Sequence, residues 1–246
     1  MRVARLVTTL ILTAHGSADP RSAANARAVA ARLRRIRPGL DVRLAFCELN
    51  TPNLVDVLNG CSGHAVVTPL LLADAYHARV DIPGQIARCG ANHRVQQANV
   101  LDVDDRLVSV LRERLIELGV SPFDDTLGVV VVAIGSSMPA ANARTATVAS
   151  KLAAGTRWAG VTTAFVTRPD ASPADAVRRL RRQGARRVVI APWFLAPGLL
   201  PDRVRTYARD AGIAMAQPLG AHTLVAATAL DRYEHARKTL DDRIAA

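Results

Sequence analysis

The chain has 246 residues, enough for one large domain or for two of about 120 residues each. Half of it is hydrophobic and only 4% aromatic, so a core of Ala, Val, Leu and Ile is expected and a disordered tail is excluded. Basic residues outnumber acidic ones 32 to 21 for a net charge of +11, and all but Lys151 and Lys238 of the basic residues are arginine, whose planar fork suits carboxylate or phosphate.

In chain order, Arg2 and Arg5 ahead of an apolar run loosely imitate a secretory signal. That run, Leu6 to Leu12, holds two threonines and leads into His15-Gly16-Ser17, so it reads as part of a first β-strand over residues 6–13. Asp19-Pro20 supplies an N-cap and a first helical residue for a helix with Val29, Leu33 and Ile36 on one face. Pro38-Gly39 ends it. A second strand covers 42–46, and Thr51-Pro52 is expected to cap a short helix through Leu58. A third strand, 65–72, is almost wholly apolar, as expected of a strand covered on both faces. A short helix after Pro83 and a fourth strand near 95–101 follow. Asp102, Asp104 and Asp105 then suit the cap and first turn of a helix over 105–118. Its buried stripe is Leu107, Leu111, Leu115 and Leu118, and Gly119 supplies the stop.

Beyond Ser121-Pro122 the chain starts again. A strand over 127–133 leads into Ile134-Gly135-Ser136-Ser137-Met138-Pro139, which lies over His15-Gly16-Ser17-Ala18-Asp19-Pro20 at an offset of 119 (134 − 15). At the same offset Val29 meets Val148, Leu33 meets Leu152, and Ala45-Phe46 meets Ala164-Phe165; Pro69 meets Pro192 after a small insertion. Turn, helix-face and strand residues matching in order indicate an internal duplication. The expected fold is α/β, with two similar lobes over 1–121 and 122–246. Each is a parallel four-stranded sheet flanked by helices, with right-handed crossovers.

In an open parallel sheet, ligands bind at the carboxyl ends of the strands. His15 follows strand one, Glu48 strand two and His77 strand three, so all three fall along one edge of the first lobe. Two imidazoles and a carboxylate suit a divalent ion such as Fe²⁺, Co²⁺, Ni²⁺ or Zn²⁺, and imidazoles also serve as bases near neutral pH. At Gly16, before Ser17, the absent side chain lets a ligand approach the backbone. Asp81, four residues beyond His77, reaches that ring if a helix starts there, and would orient it. In the second lobe Gly135, Ser136, Pro139 and Pro192 persist, but Ile134 replaces His15 and Leu199-Leu200 falls where His77 would. Scaffold kept and histidines lost is the pattern expected if only the first lobe does chemistry. Cys47, beside Glu48, reads as a buried residue closing a strand. His64, His93, His222 and His235 share no strand end and read as structural or surface residues.

His15-Gly16-Ser17-Ala18-Asp19-Pro20, Ala45-Phe46-Cys47-Glu48, Thr68-Pro69-Leu70-Leu71-Leu72 and Tyr76-His77-Ala78-Arg79-Val80-Asp81-Ile82-Pro83 resemble the sirohydrochlorin chelatases, the class II chelatases of the CbiX/SirB type. The resemblance spans the whole chain as a two-lobed form with a degenerate second half, and implies a chelatase-like fold of flavodoxin-like topology. It further implies a cytoplasmic lyase that inserts Co²⁺ or Fe²⁺ into sirohydrochlorin without ATP, in sirohaem or cobalamin biosynthesis. On that likeness His15 binds the metal and takes pyrrole protons, His77 is the second metal-binding histidine, and Glu48 assists with metal or substrate. Leu72, Ala73, Asp74, Ala75 and Tyr76 match a substrate-contacting loop, with Ser17 and Arg79 counted beside it. That loop is bulkier and more acidic here than the glycine-rich form often found in the family. Sirohydrochlorin carries many carboxylates, which gives the arginine excess a use; Arg21, Arg79, Arg144, Arg168 and Arg203 are candidates.

The rival reading is a noncatalytic tetrapyrrole- or metal-binding protein that delivers its cargo to a partner. Nucleic acid is not an expected partner, because the arginines are spread over many helices and aromatics for base stacking are few. No Walker A loop or post-strand GxGxxG motif indicates a nucleotide cofactor. No apolar run approaches the ~20 residues of a membrane span, and three scattered cysteines suit a reducing compartment. Short chelatases of this type build a two-lobed site from two chains, so a fused duplication is expected to be a monomer.

Overall fold

The computed structural model describes residues 8–89 and 94–245. The elements run β1 (Thr8–Ala14), α1 (Pro20–Ile36), β2 (Val42–Phe46), α2 (Leu54–Asn59), β3 (His64–Pro69), a π-helical turn (His77–Asp81), α3 (Ile82–Arg88), β4 (Val95–Gln97) and α4 (Asp105–Glu117). The second series is β5 (Leu127–Ala133), α5 (Pro139–Ala153), β6 (Gly160–Phe165), α6 (Pro173–Arg182), β7 (Arg187–Pro192), α7 (Leu199–Asp210), β8 (Ala214–Met215) and α8 (Thr223–Ala245). They form two parallel four-stranded sheets with strand orders β2-β1-β3-β4 and β6-β5-β7-β8. This is the flavodoxin-like order without its fifth strand.

The duplication extends to hydrogen-bond register. Ala14 pairs with Phe46 and Thr13 with Pro69 in the first sheet; Ala133 pairs with Phe165 and Val132 with Pro192 in the second. Helices cover both faces, so β5 is apolar and buried along its length, and β1 is buried from Thr9 to Thr13 with Leu10, Ile11 and Leu12 at its centre. On one face of the first sheet, Ile11, Ala45, Ala65 and Val67 pack against Leu54, Leu58, Ile82 and Ile86 of α2 and α3. On the other face lie α1 and α8.

The chain divides into two compact units, one of residues 1–102 with 223–246 and one of 103–222. The end of a repeat in sequence is therefore not the end of a unit in space. Helix α4 packs on α5 and β7, with Arg112 donating to the carbonyls of Lys151 and Ala154 at 2.6 and 3.0 Å. Helix α8 closes the first unit. Arg232 donates to the carbonyls of Val100 and Leu101 at 3.1 and 3.0 Å, and the Tyr233 hydroxyl donates to that of Thr8 at 2.9 Å.

Several local expectations are corrected. Leu6 lies outside the described residues, and strand β1 runs on to Ala14. Asn53, not Thr51-Pro52, caps α2, accepting the Asp56 amide at 2.9 Å. Strand β3 stops at Pro69, so Leu71 and Leu72 belong to the loop beyond it. Strand β4 ends at Gln97; beyond it the buried Ala98 still donates its amide to the Val67 carbonyl at 2.8 Å and the buried Leu101 donates to that of Leu71 at 2.9 Å, without continuing a regular strand. Helix α3 starts at Ile82, directly from the π-helical turn, rather than after Pro83. Leu118 is the half-buried C-cap of α4 rather than part of its buried stripe.

Candidate active site

Strands β1 and β3 are the central pair whose connections leave in opposite directions, and their carboxyl ends mark the switch point where open α/β sheets bind ligands. His15 stands one residue beyond β1. The Cys47 amide donates to Ala14 O at 2.9 Å and the Glu48 amide to His15 O at 3.0 Å, extending the β1–β2 ladder by two residues. Gly16 permits this close approach. Its φ is +102°, and a Cβ there would lie 1.8 Å from the Glu48 carbonyl oxygen. The Ser17 amide then donates to Asn50 Oδ1 at 2.8 Å, tying the loop after β1 to the loop after β2.

His77 reaches the same place from β3 through the 70–76 loop. Its π-helical turn is pinned by Gln97, whose Nε2 donates to the Ala78 carbonyl at 2.7 Å. Gln85 of α3 donates to the Cys47 carbonyl at 3.1 Å and fixes the turn's far end.

The two imidazoles meet. His15 Nε2 and His77 Nε2 are 2.7 Å apart, with ring centroids at 3.9 Å and planes at 87°. Each Nδ1 is committed elsewhere. His15 Nδ1 donates to the Gly16 carbonyl at 2.8 Å, and His77 Nδ1 donates to Asp81 Oδ2 at 2.5 Å. A carbonyl or carboxylate oxygen can only accept, so both Nδ1 atoms carry hydrogen. Both Nε2 atoms therefore face one another with their lone pairs inward, an arrangement suited to sharing one proton or, with the rings farther apart, one metal ion. Two nitrogens bound to one ion at ~2.0–2.1 Å would stand farther apart than 2.7 Å.

Glu48 Oε1 lies 3.4 Å from His15 Nε2. Among the described residues no three His, Cys, Asp or Glu side chains form a ready-made metal cage, so the grouping is an open pair with a carboxylate alongside. It faces solvent: the side chains of His15, His77 and Glu48 are 35%, 40% and 54% exposed. Burial pushes the Cys47 thiol up to about 12, with the charges of Asp81 and Glu48 adding to the effect. It stays a neutral thiol packed among the apolar side chains under the sheet.

In the 72–76 loop the negative charge is neutralised locally. Arg79 donates to Asp74 Oδ2 at 2.7 and 3.0 Å, and this bond raises the Arg79 pKa. Tyr76 is more than half exposed, its ring edge-on to His77 at 6.1 Å. Of the arginine candidates, Arg21 pairs with Asp19 and Arg168 with Asp170. The remaining histidines lie elsewhere: His64 opens β3 at the opposite end of the sheet, His222 Nε2 is 3.1 Å from Glu113, and His235 sits by Gln96 and Asp231. His93 lies outside the described residues.

The second unit repeats the scaffold without the chemistry. The Thr167 amide donates to Ile134 O at 2.9 Å where the Glu48 amide donates to His15 O. Ser136 N donates to an asparagine Oδ1 at 2.8 Å, as Ser17 N does. The residues the sequence did not single out are the asparagine and glutamine clamps, Asn50, Gln85 and Gln97. Only Asn50 left a trace, as a turn-forming residue just after Glu48.

The CbiX family model matches residues 9–118 and again residues 128–236. The chain belongs to the CbiX family. Its two matched segments coincide with the two sequence repeats, and the histidine pair lies in the first. A sirohydrochlorin ferrochelatase of Priestia megaterium is 27% identical over 208 residues, covering 80% of this CbiX-family chain and 76% of the relative. A sirohydrochlorin cobaltochelatase of the same organism is 29% identical over 211 residues, covering 80% and 67%. Among solved structures, SirB from Bacillus subtilis with Fe³⁺ matches with a TM-score of 0.82 at 22% identity, over 93% of this chain and 95% of that one. The CbiX described as the terminal enzyme for siroheme biosynthesis in denitrifying bacteria matches at 0.70 and 23%, over 93% and 99%. At such identities the structural likeness establishes the shared chelatase fold.

Proposed function

We propose that this CbiX-family protein is a sirohydrochlorin chelatase, a lyase that inserts a divalent ion, Co²⁺ or Fe²⁺, into sirohydrochlorin without a nucleotide. The observation that carries the reading is the pair of Nε2 atoms facing each other at 2.7 Å on the solvent-open switch point, each with its Nδ1 engaged. Both curated relatives quoted above are named for this activity, one with iron and one with cobalt.

Metalation removes two N–H protons from the macrocycle and exchanges the ion's ligands for four ring nitrogens. His15 and His77 hold the incoming ion through Nε2 as the rings part, and neutral imidazoles outside a closed cage release it readily. Glu48, 3.4 Å from His15 Nε2, offsets the ion's charge during loading. Any proton shared by the pair leaves to solvent as the ion enters; once the ion has passed to the macrocycle, one of the two released pyrrole protons is taken up between the two Nε2 atoms and the other leaves to water at the open site. Asp81 keeps the proton on His77 Nδ1 throughout, leaving Nε2 free for this work. Ser17, the 72–76 loop and Arg79 border the substrate, with Arg79 able to leave Asp74 for a substrate carboxylate because the pair is exposed and weakly held. We place the protein in the cytoplasm as a monomer, with no nucleic-acid or membrane partner. No described helix is long and apolar enough to cross a membrane.

The test is metal insertion into sirohydrochlorin, followed by absorbance, with protein at a small fraction of the substrate and each ion in turn. The wild type turns over many equivalents; His15→Ala and His77→Ala abolish insertion while melting normally. A single stoichiometric transfer by the wild type would make the protein a carrier, and near-normal rates in both variants would overturn the assignment.

A further inference from the structure

Leu49 follows Glu48 and is 69% exposed, with φ at +61°. Among the described residues only Leu49 and Asp102 combine a side chain with positive φ. An aspartate tolerates that region, whereas a bulky leucine is a true outlier there. The Asn50 amide donates to the Glu48 carbonyl at 2.7 Å, closing a three-residue γ-turn around Leu49 in its rare positive-φ form.

The surroundings hold this turn in place. Asn50 Oδ1 accepts the Ser17 amide, and the Glu48 amide donates to His15 O at 3.0 Å, so both neighbours of Leu49 are bonded to the loop that carries His15. The duplicated half serves as an internal control. Its counterpart is Arg168 (49 + 119), whose φ is −118°, so the same scaffold position needs no left-handed residue where the histidines are absent. A lone exposed leucine would be unremarkable. A strained one, only in the half with the imidazole pair and one residue from Glu48, is where a protein holds a side chain against its own backbone preference for a ligand.

We propose that Leu49 contacts the substrate, held out on this γ-turn as an apolar support for the face of the macrocycle next to the histidine pair. This rests on the sirohydrochlorin reading above. The side chain offers the tetrapyrrole hydrocarbon surface next to Glu48, from the loop after β2 rather than from the 72–76 loop. It fixes where the ring lies rather than taking part in proton or metal transfer.

The experiment compares wild type, Leu49→Ala, Leu49→Gly and Leu49→Met by initial rates at varied sirohydrochlorin and saturating metal, by titration of metal-free protein with sirohydrochlorin, and by thermal melting. Leu49→Ala and Leu49→Gly should raise KM and Kd for sirohydrochlorin about tenfold, the loss of part of a buried leucine contact. Their kcat and their KM for the metal should stay within about twofold, the split expected of lost uniform binding. Leu49→Met should keep the wild-type KM, and Leu49→Gly should melt no lower than wild type because glycine relieves the turn. Unchanged sirohydrochlorin KM in both small variants, or activity lost only in step with melting temperature, would overturn the inference alone. A wild type that binds no sirohydrochlorin would overturn the chelatase reading and this inference with it.

Discussion

At the residue scale, the bond between Asp81 and His77 carries most of the site's directionality. A carboxylate 2.5 Å from Nδ1 fixes the ring's tautomer and points Nε2 at His15. Such partners commonly change metal affinity or activity ~10–100-fold when removed. Asp81→Ala should therefore lower kcat by about that factor with little change in melting temperature, since the side chain is at the open site and not in the core. Asp81→Asn, whose amide oxygen can still accept from Nδ1, should recover part of the loss. Equal loss in both variants would show that charge, not ring orientation, is what Asp81 supplies. The shared location of His15, Glu48 and His77 was legible in the sequence because each comes after one of three successive strands of a parallel sheet, although His77 lies eight residues beyond the end of β3. The γ-turn at Leu49 was not, because leucine carries no left-handed signal and the bonds that impose it come from Ser17 and His15, more than thirty positions away.

At the scale of single elements, caps and turns decide where the loops carrying the site begin. Asp19 caps α1 by accepting the Arg21 amide at 2.9 Å, and its carboxylate also pairs with the Arg21 side chain. The Arg21 side-chain hydrogen bond, with the backbone bond behind it, holds the carboxyl at about 2 against its usual 3.8. Folding thus favours the ionised form, and the contribution is complete above the unfolded value and lost as pH falls from about 3.8 toward 2. Asp19→Ala should melt below wild type at neutral pH, and the two melting curves should converge by pH 2. A gap that persists at pH 2 would mean that the cap works through shape alone. The helix boundaries were legible here because Asp19-Pro20 is strong local chemistry. The extent of β4 was not: residues 98–101 keep a strand-like pattern, yet past Gln97 only isolated amides, those of Ala98 and Leu101, bond to the β3 side, to Val67 and Leu71.

At the scale of the whole molecule, repeat boundaries and unit boundaries part company, because α4 serves the second unit and α8 the first. The leucine stripe of α4 announced a buried face but could not say which sheet receives it, since amphipathicity is local and the choice of partner is not. A chain cut at 121/122 would leave Leu107, Leu111 and Leu115 of α4 uncovered and strip α8 from the β3–β4 side of the first sheet. Residues 1–121 alone should therefore aggregate or self-associate on size exclusion, whereas residues 103–222 alone should be folded and monodisperse. Well-folded, monomeric protein from both pieces would show that each repeat can reclaim its own last helix.

The exchanged helices also set an order of completion on the ribosome. A nascent chain can finish the second unit as soon as residue 222 has emerged, while the first sheet, made earlier and carrying both imidazoles, still waits for α8. The sheet that carries the imidazole pair is thus begun first and sealed last, after the second unit has had its whole chain.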